Sequence, residues 1–472
     1  MFRRIQIDES SSVPLYKQLH EQISCLIRSG VLPHGDRIPP TRELASQLGL
    51  NRTTVSAAYG LLEADGLIRG HVGRGSFVHF EGPVQGQEQL GLISFASSQP
   101  AADEFPLADF QTCCQQVISS PDAADILQLG SPAGYLPLRR FLLNRARTEG
   151  SGRATDDIIV TNGCQQALAL LQRVVAPAGT VVAVEDPVYH GLKNVFERSG
   201  TRLAAVPMGS AGMDVEALAR TLAAERPKVL VVTPDFQNPT GATLPLAGRR
   251  AILDLAAEFG VLVVEIAIYR DLRYEGETLP TLKQLDEAGN VVLIGSFSKV
   301  AFPGLRVGWV NAPARLAGLL AETRQWCDLH TDHLSQAILL RFAESGLLQE
   351  HVNRVCHSGR ERLHAALAAC ERHLPAGSEW TSPAGGMNLW VRLPHLLNAA
   401  DLLPHAQREG VTYLPGSHFA VTQRDSSALR LSFGGLTPAR IETGIATLGR
   451  LCLEELQRAG SADRFDAVPA LV

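Results

Sequence analysis

The chain has 472 residues, of which 45% are hydrophobic and 19% charged, with a formal charge of −5. That length exceeds one ordinary domain and predicts two or three, and the composition is that of a soluble globular protein with a large core. The negative charge argues against indiscriminate nucleic-acid binding, although residues 1–80, with nine Lys/Arg and seven Asp/Glu, carry about +2 and the remainder about −7.

Cys25, Cys113, Cys114, Cys164, Cys327, Cys356, Cys370 and Cys452 form neither C-x-x-C pairs nor a small disulfide framework, which predicts a reducing compartment. Met1-Phe2-Arg3-Arg4 leads into polar residues, and no apolar run reaches the roughly 20 residues that span a bilayer, so a cytoplasmic location is expected. No metal site is expected.

In chain order, Leu19, Ile23, Leu26 and Ile27 recur at helical spacing within Lys17 to Ser29. A Gly/Pro-punctuated loop precedes a short second helix, Thr41 to Leu48, which Gly49 ends. Asn51 is a good N-cap for a third helix, Arg52 to Ala64, whose first turn is Arg52-Thr53-Thr54. Two helices joined by a short turn form a helix-turn-helix, in which the start of the second helix meets base edges and phosphates. Leu67-Ile68-Arg69 and Ser76-Phe77-Val78 are short strands, and the glycines between them form a tight wing that carries Arg74. A plain three-helix packing unit would share much of this pattern.

The string Ile38-Pro39-Pro40-Thr41-Arg42-Glu43-Leu44-Ala45, followed by Asn51-Arg52-Thr53-Thr54-Val55, Gly66-Leu67-Ile68 and Gly73-Arg74-Gly75-Ser76-Phe77-Val78, resembles a GntR-type winged helix. The resemblance implies that Arg42, Arg52, Thr53, Thr54 and Arg74 contact DNA. Residues 1–80 are expected to form this domain. Residues 81–92, rich in Gly and Gln without a hydrophobic period, form a linker.

From residue 93 onward, short β-branched runs alternate with helical stretches. Ile158-Ile159-Val160, Thr180 to Val184, Lys228 to Val232, Val261 to Val264 and Val291 to Ile294 predict a mainly parallel α/β sheet covered on both faces. Ligands of such sheets lie beyond the carboxyl ends of the strands, where the notable motifs fall. Thr161-Asn162-Gly163-Cys164-Gln165 opens a helix whose free N–H groups can receive a phosphate, although many strand-to-helix turns bind nothing. Asp186-Pro187-Val188-Tyr189 puts an aromatic ring after a strand, where a core tyrosine is an equal alternative. Asp235 to Gly241 contains the rigid turn Asn238-Pro239, which holds one amide in a position suited to a pyridine hydroxyl, and Tyr269 can reach the same hydroxyl.

Gly295-Ser296-Phe297-Ser298-Lys299 would deliver one amine beside a hydroxyl and the Arg306 guanidinium, although a lone Ser-x-x-Lys is more often a solvated loop lysine. An amine next to a phosphate site is what a pyridoxal phosphate (PLP) aldimine needs, and a neighbouring cation lowers the lysine pKa toward a reactive neutral amine. Arg306 can fork onto a phosphate as lysine cannot. Arg430 sits on the otherwise apolar strand Ala428 to Ser432, where a charge is costly without an anion, so a substrate carboxylate fits.

Ser296-Phe297-Ser298-Lys299, with Pro303-Gly304-Leu305-Arg306 and Gly308-Trp309 after it, closely resembles the PLP-lysine segment of fold-type I, class I/II aminotransferases, and the likeness extends over residues 93–455. It implies the PLP-dependent transferase fold, with a smaller C-terminal α+β subdomain from about residue 312 and a tail over 456–472, unstructured from Ala459. It makes Lys299 the Schiff-base lysine. Ser296, Arg306, Gly163, Cys164 and Gln165 go to the phosphate, Tyr189 to the ring face, Asn238 and Tyr269 to the ring hydroxyl, and Arg430 to a substrate α-carboxylate. Tyr135 reaches the phosphate of the neighbouring subunit, which implies a homodimer with shared sites.

The resemblance breaks at one position. These enzymes carry an aspartate three residues before the Tyr269 position, paired with the pyridine nitrogen; this chain has Ile266, and Glu265 should face the other side of the strand. The electron sink is then poor, so cofactor capture is expected and transamination is doubtful.

A winged helix ahead of an aminotransferase-like domain resembles the MocR/GabR family of bacterial regulators. The resemblance implies a dimeric transcription regulator that binds operator DNA and senses an amino compound, or PLP itself, through an aldimine at Lys299. A working aminotransferase with a DNA-targeting head and a scaffold without PLP are the alternatives.

Overall fold

The computed structural model describes residues 14–28, 32, 35–71, 75–79, 91–422 and 425–466. The chain divides into two compact units, Met1–Leu92 and Ile93–Val472.

In the first unit, helices α1 (Leu15–Arg28), α2 (Thr41–Leu48) and α3 (Arg52–Ala64) precede strands β1 (Ile68–His71) and β2 (Gly75–Val78), which pair antiparallel. Gly49, at φ 68°, ends α2, and the Asn51 side chain accepts from Thr53 N at 3.2 Å to cap α3, a contact worth about 1 kcal/mol. Leu19, Ile23, Leu44, Val55, Leu62 and Ile68 close one core. Tyr59 Oη, donating to Pro39 O at 2.8 Å, fixes the approach to α2. Arg74 and all but the last two residues of the expected linker lie outside the described residues.

The second unit begins with β3 (Ile93–Ser94). It holds a large sheet of β4 (Asp156–Thr161), β5 (Val181–Asp186), β6 (Arg202–Gly209), β7 (Gly212–Met213), β8 (Val229–Val232), β9 (Leu262–Ile266), β10 (Val291–Ser296) and β11 (Gly308–Pro313). Their order is β4-β11-β10-β9-β8-β5-β6-β7. The pairs β10/β9, β9/β8, β8/β5 and β5/β6 are parallel, while β11 runs antiparallel to both its neighbours. Alternate residues face opposite sides. Val264, Val292 and Ile294 pack with the helix residues Leu168, Leu171 and Leu320, whereas Val263 and Val291 pack with Leu218, Leu222 and Ile252. These strands are apolar on both faces, and helices cover both.

A smaller sheet, in order β12-β13-β16-β15, contains β12 (Glu379–Trp380), β13 (Asn388–Arg392), β15 (Leu414–Pro415) and β16 (Ala428–Ser432), while β14 (Val411–Thr412) pairs with β3.

Two expected boundaries need correction. Residue 312 lies within β11 of the large sheet, and the helix after it, Ala314–Asp328, buries Leu320 in the large-sheet core, so the smaller part starts later in the chain. The C-terminal residues from 459 are not irregular as far as they are described: helix Pro438–Asp466 runs on through Asp466. A helix already nucleated on a buried face propagates cheaply, and the Arg450–Glu454 pair supports its outer side. Among the described residues no helix is long and apolar enough to cross a membrane, and no group of three or more His, Cys, Asp or Glu could hold a metal.

Candidate functional site

A cavity of about 340 Å³ lies where the carboxyl ends of β4, β5, β8, β9 and β10 meet β16. It is lined by Cys164, Gln165, Tyr189, Asn238, Tyr269, Ser296, Lys299, Arg306 and Arg430 among others. Nine residues singled out from widely separated parts of the sequence therefore share one site.

Lys299 follows β10 in a turn held by Ser296, whose hydroxyl accepts from Ser298 N at 3.1 Å and donates toward Val307 O at 3.2 Å. The amine stands 5.6 Å from the centre of the Tyr269 ring and donates to Ser98 O. Desolvation in the cavity, with the Arg430 and Arg306 charges adding to it, brings its pKa from the ordinary 10.5 down to about 8. The neutral amine, the state a nucleophile requires, is then far more accessible near neutral pH than in an ordinary lysine.

One end of the cavity is built for an anion. Gly163, at φ 77°, starts the helix Gly163–Val175, and a Cβ there would come within 2.6 Å of Arg306 Nη2. Only glycine lets the guanidinium lie against the helix N-terminus, beside backbone N–H groups without partners in the helix. Arg306 donates to Asn162 O and Pro303 O at 3.2 and 3.3 Å and leaves its fork exposed. Cys164 stands next to it, with burial pushing its thiol up to about 12, so it is an inert lining group rather than a nucleophile.

At the centre, Asn238 Nδ2 donates to Tyr269 Oη at 3.2 Å, and Arg430 Nη1 donates to Asn238 Oδ1 at 3.0 Å. The turn carrying Asn238 is braced by Arg249, fully buried, which reaches Asp235 at 2.7 Å, and by Gln237, which donates to Pro187 O at 2.9 Å. Arg430 also donates to Ala96 O and lies over Phe419, while its Nε is buried without a partner among the described residues. Burial lowers its pKa to about 10. An orphaned N–H on a buried cation is an invitation to an anionic ligand.

Ile266 ends β9 and, with Ile268, lines the cavity, being 5% exposed. Glu265 points to the opposite face, where it accepts from Leu282 N and Lys283 N, both at 2.9 Å. Asp271 is engaged with Arg145 at 3.4 Å, away from the cavity lining. No Asp or Glu stands among the described residues of that lining.

Tyr135 does not line this cavity; its ring lies 5.7 Å from that of His333. In the first unit, Arg42, Arg52 and Thr53 are exposed in the first turns of α2 and α3, and Thr54 is half-buried.

Several lining residues escaped the sequence reading. Ser97, Ser98 and Gln99, His190 and Thr233 also face the cavity. Only His190, adjacent to Tyr189, and Thr233, directly after the expected strand Lys228 to Val232, carried a sequence signal. The others arrive through tertiary packing alone.

These residues fit PLP at the amine, the anion cradle and the Asn238–Tyr269 pair, and depart from it only at the apolar floor. Residues 105–448 match the family Aminotransferase class I and II, and residues 15–78 match Bacterial regulatory proteins, gntR family. The crystal structure of LysN, the alpha-aminoadipate aminotransferase of Thermus thermophilus, complexed with N-(5'-phosphopyridoxyl)-L-leucine, superposes with a TM-score of 0.73. It is 36% identical and covers 79% of this chain and 95% of that one. The chain thus belongs to the PLP-dependent class I and II aminotransferase family.

Its particular form carries a gntR-family DNA-binding domain ahead of that fold, the arrangement of the MocR-type regulators. It is 30% identical to the uncharacterized HTH-type transcriptional regulator YdfD of Bacillus subtilis over 94% of this chain and 97% of that protein. To the probable rhizopine catabolism regulatory protein MocR of Rhizobium meliloti it is 27% identical, over 98% and 99%.

Proposed function

We propose that this protein is a cytoplasmic, homodimeric transcription regulator that holds PLP at Lys299 and reads an amino compound, or PLP itself, there without productive transamination. The observation that carries this reading is Ile266: amine, anion cradle and Asn238–Tyr269 pair are intact, yet the cavity floor is apolar. When bound, PLP supplies an aldehyde for primary amines and a ring that accepts electrons. Lys299 attaches it, and Arg306, Ser296 and the backbone of Gly163, Cys164 and Gln165 hold its phosphate. Tyr189 covers the ring and Asn238 and Tyr269 hold the ring hydroxyl.

Arg430 takes the effector carboxylate by turning toward it the guanidinium donor that otherwise meets Ala96 O. An apolar neighbour disfavours a protonated pyridine nitrogen, so loss of the effector α-proton stays slow and the effector is retained rather than converted. Retention suits a sensor.

DNA is contacted by Arg42, Arg52, Thr53, Thr54 and Arg74. For the dimer, Leu127, Leu129, Trp326 and Leu329 are exposed on segments that flank Tyr135 and His333, and Trp326 is 82% exposed. Exposed apolar side chains of that size are suited to burial against a second copy, where Tyr135 would complete the neighbouring site.

The test is the visible absorption of the full chain with PLP, beside Lys299→Ala, titrated with amines and followed for keto product. A lysine-dependent band that shifts with an amine without product supports the reading; no band refutes it. A working aminotransferase is the second reading, favoured by the 36% identity to LysN, and steady keto-acid formation in the same titration would establish it.

A further inference from the structure

The residues between the start of the second unit and the cavity form one continuous strap. Ile93 N donates to Gly410 O at 2.7 Å and Phe95 N to Thr412 O at 2.8 Å, as β3 pairs with β14. Phe95 is fully buried, and Ser432 N donates to its carbonyl at 2.9 Å. The next residues, Ala96 to Pro100, line the cavity.

Lys299, Arg306 and Arg430 line that cavity, and two of these cationic side chains are tied to the strap: Arg430 donates to Ala96 O and Lys299 to Ser98 O. The Ser98 hydroxyl donates to Asn388 Oδ1 at 2.6 Å and lies 3.2 Å from that of Ser432. The strap is thus held by the same two cations that an anionic, carbonyl-bearing ligand must recruit. It is also the segment through which the chain enters the second unit, Ile93 following residues 81–92 of the expected linker.

We propose that the strap, residues 93–100, carries the state of the cavity to the DNA-binding unit: a ligand that engages Lys299 and Arg430 takes donors from Ser98 O and Ala96 O, and the strap loosens back to β3. This rests on the sensor reading above and adds the route by which occupancy leaves the site. Hydrogen bonds from charged donors are about twice as strong as neutral ones, so losing two of them from one eight-residue segment outweighs the loss of two ordinary contacts. The neutral bonds that remain are Ser432 N to Phe95 O, the Ser98 hydroxyl to Asn388 Oδ1, and the edge pairing of two residues per strand at Ile93 and Phe95; that short edge pairing is the part that opens locally once the charged anchors are gone.

Amide hydrogen exchange of the full chain reads this directly. Without ligand, Lys299→Ala and Arg430→Gln should each speed exchange at Ile93 and Phe95 by about tenfold, while β9 and β10 keep wild-type protection. With PLP, the wild-type protein should show the same local acceleration as its absorbance band forms. Strap amides that keep wild-type protection in both variants, or a band without a change at the strap, overturn the proposal and leave the sensor reading standing. Absence of any PLP band overturns both.

A second variant separates transmission from binding. Ser94 and Thr412 face each other across the β3/β14 pair, so Ser94→Cys with Thr412→Cys can be oxidised to a pin. Pinned protein should form the PLP band yet hold one DNA affinity with and without PLP, and a thiol reductant should restore the response. A PLP response of the DNA affinity that survives pinning refutes the route. So does a full chain whose DNA affinity ignores PLP while the band forms.

Discussion

Replacing Ile266 by Asp puts the carboxylate of the enzymes back into the cavity floor. The isoleucine is 5% exposed and packs with Val184, Val264 and Ile294, so the exchange forfeits an apolar burial of about 1.5–3 kcal/mol. No base on the floor stands ready to pair with the new acid, which should stay protonated in the ligand-free protein; the total loss of stability is then about 2–4 kcal/mol. With PLP present the balance reverses. A carboxylate about 4 Å from a protonated pyridine nitrogen, at an effective dielectric of about 20, contributes about 4 kcal/mol before desolvation is subtracted. At about 1.4 kcal/mol per tenfold, removal of the effector α-proton should accelerate by about 10²–10³.

Two assays follow the change: thermal unfolding with and without PLP, and single-turnover conversion of an L-amino acid to its keto acid at saturating PLP. Ile266→Asp should melt lower without PLP, gain more from PLP than the parent, and form keto acid faster. A variant that gains nothing from PLP and forms no more product would refute the argument. So would a parent protein already turning over at the 1–10³ s⁻¹ usual for enzymes, roughly.

Further outcomes are expected. Formation of the PLP band should rise with pH and level off above about 8, because desolvation and the Arg430 and Arg306 charges favour the neutral Lys299 amine from there upward; a rate still climbing tenfold per unit between pH 9 and 10 contradicts this. Arg52→Ala should weaken operator binding by about 1–3 kcal/mol, roughly 5- to 150-fold, with an unchanged melting temperature, as measured by fluorescence anisotropy and calorimetry. Arg306→Lys keeps the charge but loses the fork, and the PLP dissociation constant from absorbance titration should increase at least several-fold. Trp326→Asp places a charge at an exposed apolar position, and sedimentation should show the dimer weakened toward monomer while each chain stays folded.

How much was legible beforehand differs between the two units and within the site. The winged-helix elements rest on local signals: helical spacing of Leu19, Ile23 and Ile27, the Asn51 cap, the Gly49 stop. Such signals act within one or two turns, and α2 and α3 fall at the expected residues. The five expected parallel strands were visible as β-branched runs because a strand buried on both faces must be apolar throughout. Strands β6, β7 and β11 were not, since β6 mixes exposed and buried positions, β7 has only two residues, and β11 includes Gly308, Asn311 and Pro313. The helix through Asp466 was missed because its last turns carry no apolar period and depend on the turns before them.

The candidate chemistry could be read before folding, from motifs and from the resemblance they carry: Lys299 as the amine, Arg306 as the guanidinium expected at the phosphate end, and Ile266 where the resemblance expects an acid. The identity and order of those residues are covalent, and folding does not change them. Which groups meet was left to the packing of the folded chain. Packing turned Glu265 away to the Leu282 and Lys283 amides and left the floor without a substitute acid. It also laid Ser98 and Ala96 against Lys299 and Arg430. Those contacts bridge 201 and 334 residues, and no local pattern records them, because they follow from the packing of two sheets rather than from the propensities of any one segment.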